Sequence, residues 1–186
     1  KKGLHIADEY DNPRIKFIAM NNIALIKILQ GKYNEAMNYS ETALEGFKKL
    51  NHKFGESSAL IHIAHSHLGN GDYATALQSY IEAAKVLKEI DNKPVEVQLY
   101  TGMGNVYLKL EAYNEALNNY QKALTIAIAD DRDLCEVYLC LCKAYEGLEE
   151  IENSHEAYHK ALEINTRQGF KHLAHEFHKA PKSLKV

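Results

Sequence analysis

The chain has 186 residues, of which 46 % are hydrophobic and 25 % are charged, a composition typical of a folded globular protein. The net charge of −3 is unevenly spread: residues 51–165 carry nine Lys and Arg against eighteen Asp and Glu, and residues 166–186 carry five against one. The acidic middle argues against nucleic acid as a direct partner, and no apolar run reaches the roughly 18 residues of a membrane span.

From residue 13 onward the sequence repeats itself with a period close to 40 residues. A turn-like hexapeptide recurs as Gly31–Ala36, Gly71–Ala76 and Glu111–Ala116, and a fourth copy begins at Ile151. The aromatic anchors of the first three copies are spaced 40 residues apart, at Tyr33, Tyr73 and Tyr113. Self-similarity at this period indicates an array of supersecondary units rather than a single irregular domain.

Each repeat contains two stretches with apolar residues at helical spacing, one on either side of the hexapeptide. Small residues recur in the first stretch at Ala24, Ala64, Gly104 and Cys142. In the second stretch they recur at Ala36, Ala76, Ala116 and Ser154, and seven residues later at Ala43, Ala83, Ala123 and Ala161. Small side chains let two helix backbones approach closely. We therefore predict stacked pairs of antiparallel helices, with second helices that end near Leu50, Ile90 and Ala129.

This pattern resembles the tetratricopeptide repeat. The third repeat matches it best, through Tyr100, Met103, Gly104, Tyr107, Tyr113, Ala116, Tyr120 and Ala123. The resemblance implies an all-α fold, a right-handed superhelical solenoid of stacked helix pairs, in a long variant with about 40 residues per repeat. Four such repeats would occupy residues 13–168.

The two ends of the chain are interpreted in the same frame. Asp11 and Asn12 stand 80 residues before Asp91 and Asn92, so residues 1–12 would be the end of a preceding repeat helix. Residues 169–186 would form a capping or partial-repeat helix and a tail. Its apolar stripe is Phe170, Leu173, Ala174 and Phe177.

The sequence HIAHSH, at residues 62–67, raises the question of a metal site. His62 and His65 are three residues apart and share one helix face, which in the family lines the concave groove. The aligned positions of the next repeat are Gly102 and Asn105, which do not complete a set of ligands. We therefore expect no metal and no cofactor, and interpret the two histidines as groove residues.

The remaining histidines and the cysteines suggest no chemistry. Helical spacing places two further histidine sets on solvated faces: His155 with His159, and His172 with His175 and His178. The three cysteines are odd in number and clustered, which argues against a disulfide framework and for a reducing, cytoplasmic location. They are Cys135, Cys140 and Cys142.

No paired nucleophile and base, converging carboxylates or phosphate-binding loop is recognisable. We therefore predict a non-catalytic module that holds a peptide or helix of a partner protein in its concave groove. The nine residues that the resemblance places in this groove are called the groove set: Asn21, Asn22, Leu25, His62, His65, Thr101, Asn105, Cys140 and Lys143.

One subtype of the family is argued against. Its carboxylate clamp grips chaperone C-terminal tails with Lys, Asn and Arg on successive first helices. The corresponding places here carry Asn21, Leu25, His62, Gln98 and Gly102. The clamp is therefore absent.

Two relatives with long repeats remain open as models. One is the sensory region of a larger bacterial regulator, which we favour, and the other is a eukaryotic adaptor or scaffold. Two alternatives of another class also stay open: a self-assembling array that stacks through its repeat ends, and an enzyme whose site is not recognisable from sequence.

Overall fold

The computed structural model describes residues 12–127 and 130–170, together with Leu173 and Phe177. The regular structure with defined bounds in these residues is helical throughout, in agreement with the all-α prediction. The eight helices are α1 Pro13–Leu29, α2 Tyr33–Lys49, α3 Lys53–Asn70, α4 Tyr73–Leu87, α5 Lys93–Lys109, α6 Tyr113–Ala127, α7 Asp131–Gly147 and α8 Ile151–Gln168. None of these helices is long and apolar enough to cross a membrane.

The first helix of every pair begins at a side-chain cap. In each case a side-chain oxygen or ring nitrogen accepts a hydrogen bond from the backbone N–H three residues later, at 3.0–3.2 Å. The four capping residues are Asn12, His52, Asn92 and Asp130. Because a cap satisfies a donor that the helix leaves unpaired, these residues set the start of each repeat. His52 thus has a structural role.

The turn inside each pair requires a left-handed backbone. Gly31 and Gly71 meet this need with φ of 70° and 83°, a conformation that glycine adopts without steric cost. Glu111 and Glu149 hold the same turn position in the later pairs with φ of 59° and 60°. The turn geometry is therefore kept even where the residue type does not favour it.

The second helices end close to the predicted places, with one difference. Helix α2 ends at Lys49, next to the predicted Leu50, whereas α4 ends at Leu87, three residues before Ile90. The reason is the start of α5, where Asn92 caps the helix and Pro94 occupies its first turn. The chain needs residues 88–92 to connect the two helices. Ala129 lies outside the described residues.

The chain divides into two compact units, the first ending at Val95 and the second beginning at Glu96. In the first unit α1 packs on α2, α2 on α3 and α3 on α4, and the two first helices α1 and α3 are also in contact. This stacking of helix pairs is the solenoid arrangement that the repeat predicts.

Aromatic rings in the first unit lie directly against glycine backbone. A Cβ atom added to Gly55 would overlap the ring of Phe47, and one added to Gly69 would overlap the ring of Tyr33. Both glycines belong to α3, and both rings come from α2 of the preceding pair. The missing side chains therefore set how closely one pair approaches the next.

The second unit uses the same device within and between its pairs. The fully buried ring of Tyr120 in α6 covers Gly104 in α5, and Tyr113 covers Gly147 in α7. In the last pair Cys142 and Ser154 replace the usual Gly and Ala, and their Sγ and Oγ atoms lie 3.4 Å apart. A polar contact thus replaces a purely apolar one without enlarging the interface.

Residues beyond α8 contact the end of the second unit. Leu173 is buried against Cys135, Leu139 and Ala161, and Phe170 and Phe177 pack beside it. These are three members of the stripe predicted for residues 169–186; Ala174 lies outside the described residues, as do residues 1–11.

The helix-pair packing predicts that Ala116→Leu destabilises the protein. Ala116 has no exposed surface and lies in the core cluster of the second unit, so a larger side chain must displace its neighbours. Overpacking of this kind costs about 1–3 kcal/mol. Urea unfolding of wild type and variant measures the loss.

The matched control is Asn118→Leu, because Asn118 lies two residues further along α6 and is exposed. Exposed substitutions usually change the unfolding free energy by less than about 0.5 kcal/mol. An equal loss in both variants, or in neither, would show that the helix-pair frame is wrongly drawn.

Candidate functional site

The groove set lies on the first helix of each pair. In the first unit α1 carries Asn21, Asn22 and Leu25, and α3 carries His62 and His65. Asn22 and Leu25 are exposed, His65 is partly buried, and Asn21 and His62 are buried with 7 % and 6 % of their surface exposed. The five residues therefore share a region of the unit, but they do not all face solvent.

His62 and Asn21 bind each other. The Nδ1 atom of His62 lies 3.0 Å from Oδ1 of Asn21, so the ring donates to the amide oxygen and joins α3 to α1. Burial lowers the pKa of His62 to about 4; the neighbouring His65 adds to this shift, and the bond to Asn21 opposes it. At neutral pH this imidazole is uncharged and holds two first helices together.

His65 packs against a tyrosine of the second helix. Its ring meets the ring of Tyr80 edge to face, with 5.7 Å between the centroids. Burial lowers the pKa of His65 to about 4, and a hydrogen bond to the backbone of Ile61 opposes that shift. The third histidine of the segment, His67, lies 3.4 Å from the carboxylate of Asp72 at the turn. The HIAHSH segment thus supplies three separate structural contacts.

The second unit contains Thr101 and Asn105 on α5, and Cys140 and Lys143 on α7. The Oδ1 atom of Asn105 accepts a hydrogen bond of 2.8 Å from the hydroxyl of Tyr120, and Sγ of Cys140 lies 3.8 Å from the same oxygen. Burial raises the pKa of Tyr120, which keeps its hydroxyl protonated as the donor. Asn105 therefore connects α5, α6 and α7.

Two members of the second-unit set differ from this network. Lys143 is exposed, while Oγ1 of Thr101 is buried without a hydrogen-bond partner among the described residues. Lys143 also borders a cavity of 540 Å³ at the end of α7. The other lining residues are Leu108, Tyr113, Glu146, Gly147, Glu149 and Ile151.

Sequence reasoning missed the tyrosines that contact the groove set. Tyr80 follows His65 by 15 residues and Tyr120 follows Asn105 by the same interval, so the spacing could have indicated the pairing. Without coordinates both tyrosines fit the apolar stripe of a second helix. Their hydroxyl groups were therefore not assigned to the polar surface.

Metal ligation has little support in the described part of the chain. No group of three or more His, Cys, Asp and Glu side chains there is arranged to hold an ion. Cys135 and Cys142 are buried, Cys140 is partly buried, and all three are free thiols. His172, His175 and His178 lie outside the described residues.

The buried histidine of α3 predicts that acid weakens the fold. The unfolded chain binds a proton near pH 6.5, whereas folded His62 resists protonation until about pH 4. Stability is therefore complete above pH 6.5 and falls as the pH drops towards 4. By linkage, the loss attributable to this residue is about 2 kcal/mol at pH 5.

Urea unfolding at pH 7 and pH 5 measures this loss, and His62→Gln is the control because it retains polarity but does not titrate. The variant should lose less stability between the two pH values than wild type. An identical loss in both proteins would mean that other groups cause the acid sensitivity.

Comparison with known proteins places these features in a family. Two family models described as tetratricopeptide repeat match the chain, one over residues 55–129 and the other over residues 18–51. A curated human relative, tetratricopeptide repeat protein 12, is 34 % identical over 97 residues. That match covers 52 % of this chain but only 12 % of the relative, so the chain spans about an eighth of its length.

Solved structures share the fold. A signal transduction ATPase with numerous domains from Pyrococcus horikoshii, which has a tetratricopeptide repeat sensor, matches with a TM-score of 0.71 and 21 % identity over 88 % of this chain and 26 % of that one. A Rap protein in complex with competence and sporulation factor matches with a TM-score of 0.65 and 19 % identity over 88 % and 56 %.

The 40-residue period, the stacked helix pairs and the two family models lead to one conclusion: the chain belongs to the tetratricopeptide repeat family.

Proposed function

We propose that this chain is a non-catalytic interaction module that binds a peptide or helix of a partner protein along its first helices. The observation that carries the proposal is the character of the groove set: polar or small side chains, held in place from below by buried contacts such as His62 with Asn21 and Asn105 with Tyr120. Side chains held in this way lose little freedom when a partner binds, which favours affinity.

The chemistry of the groove set also suits a peptide. Its amide, imidazole, hydroxyl and ammonium groups include both donors and acceptors, and an extended or helical segment offers both in return. In the second unit the cavity beside Lys143 could receive one side chain of such a segment, since Leu108, Tyr113 and Ile151 supply apolar lining.

Two similar structures support a sensory or regulatory setting. One has a tetratricopeptide repeat sensor in a signal transduction ATPase, and the other was solved with competence and sporulation factor bound. We infer that this chain is the repeat region of a larger signalling or regulatory protein, of bacterial type and in the cytoplasm. The human relative instead favours a eukaryotic adaptor or scaffold, which we keep as the second candidate.

Partner binding predicts that exposed members of the groove set matter for affinity and not for folding. Asn22→Ala and Lys143→Ala remove exposed side chains, so each should change the unfolding free energy by less than about 0.5 kcal/mol. A side chain at the centre of the interface should weaken binding by about 2 kcal/mol, some thirtyfold. A partner recovered by affinity capture is titrated calorimetrically against each variant.

The choice of variants follows from the contacts. Asn105→Ala is unsuitable, although sequence alone suggests an exposed position, because it would leave the buried hydroxyl of Tyr120 without its acceptor. The controls are Glu82→Ala in α4 and Glu115→Ala in α6, exposed residues on second helices. Equal weakening by controls and groove variants, or weakening by the controls alone, would exclude the first helices as the working surface.

Self-assembly makes a different prediction. If the chain acts by stacking through its repeat ends, sedimentation should show mass that rises with protein concentration, and the groove variants should not affect it. A monomer that binds its partner in a 1:1 complex supports the interaction module.

A further inference from the structure

Two tyrosines occupy the same place in successive repeats but differ in hydrogen bonding. Tyr80 and Tyr120 are spaced 40 residues apart, and neither has any exposed surface. The hydroxyl of Tyr120 donates to Asn105 at 2.8 Å. The hydroxyl of Tyr80 has no hydrogen-bond partner among the described residues. Because buried polar groups are almost always paired, the unpaired hydroxyl needs an explanation.

The residue opposite Tyr80 accounts for the difference. His65 stands where the next repeat has Asn105, and its ring packs edge to face on Tyr80 instead of accepting from the hydroxyl. One ring nitrogen of His65 is bound to the backbone carbonyl of Ile61. In a neutral imidazole the other nitrogen is an acceptor. An acceptor on His65 and a donor on Tyr80 are therefore neighbours.

Few chemical groups satisfy an adjacent donor and acceptor together. A primary carboxamide does so, because its C=O and one N–H lie side by side on the same edge. A trans peptide unit presents C=O and N–H in opposite directions, a carboxylate has no donor, and an ammonium or guanidinium group has no acceptor. The second unit already contains the corresponding arrangement, since Asn105 offers its own carboxamide to Tyr120.

We propose that His65 and Tyr80 form a subsite for the carboxamide of an Asn or Gln side chain in the bound partner segment. The C=O of that side chain accepts from the Tyr80 hydroxyl, and its N–H donates to the imidazole nitrogen of His65. His65 is partly exposed and covers the ring of Tyr80, so its side chain turns aside as the ligand enters. This assignment rests on the proposed function, because it names a feature of the partner.

The first test asks whether the Tyr80 hydroxyl has a structural partner. Tyr80→Phe is compared with Tyr120→Phe by urea unfolding. We expect Tyr80→Phe to keep or raise the unfolding midpoint, since it removes an unpaired polar atom, and Tyr120→Phe to lower it, since it leaves Asn105 without its donor. A midpoint lowered equally in both variants would show that a structural water or an internal partner already binds the Tyr80 hydroxyl, and would overturn the proposal.

The second test uses small probes and needs no identified partner. N-acetylglutamine methylamide and N-acetyl-leucine methylamide are titrated into the protein while the imidazole resonances of His65 are followed by NMR. The glutamine probe should shift these resonances saturably and bind about three- to tenfold more tightly than the leucine probe, as one or two net hydrogen bonds allow. Tyr80→Phe and His65→Asn should each remove the preference.

The outcomes separate the subsite from the wider function. Equal binding of the two probes, or a preference that survives Tyr80→Phe, would sink the carboxamide subsite even if Asn22→Ala and Lys143→Ala weaken a partner. A preference that depends on both residues supports the subsite even if the groove variants leave every partner unaffected, in which case the proposed function fails alone.

Discussion

The structure depends on the close approach of helix backbones where an aromatic ring lies on a glycine or an alanine. Gly69 beneath Tyr33 and Gly147 beneath Tyr113 show this contact between successive pairs, and Gly104 beneath Tyr120 shows it within a pair. A Cβ atom at any of these glycines would overlap the ring. Because dispersion and burial both fall off steeply with separation, the absence of a side chain is what lets large rings fill the interface at full packing density.

The same close approach brings polar groups of neighbouring helices within hydrogen-bonding distance. Asn21 and His62 meet between α1 and α3, and Asn105 receives the hydroxyl of Tyr120 and the thiol of Cys140. Buried polar groups are costly when unpaired and specific when paired, so these contacts hold particular side chains in particular orientations. A surface prepared in this way is what a binding module needs, and it is also why histidines that look like metal ligands in the sequence serve as uncharged packing groups.

The repeats differ most where one residue substitutes for another of different chemistry. Glu111 and Glu149 adopt the left-handed turn that Gly31 and Gly71 provide in the earlier pairs, because the following helix can only begin from that turn. Likewise the thiol of Cys142 faces the hydroxyl of Ser154 where other repeats place apolar small residues. The fold tolerates such exchanges when the volume at the interface stays small, since packing is sensitive to single methylene groups.

Periodicity and residue size in the sequence were sufficient for the helix pairs, their antiparallel stacking and the family, because both properties are local and repeat in phase. They also indicated which helix face carries the groove set. What the sequence could not decide was the exposure and bonding of each member. His62 and Asn21 are buried partners while Asn22 stays exposed, and Asn105 is bound to Tyr120 while His65 leaves Tyr80 unpaired. These outcomes depend on distances of a few ångströms between helices that are 15 to 41 residues apart in the chain, and only tertiary packing determines such distances.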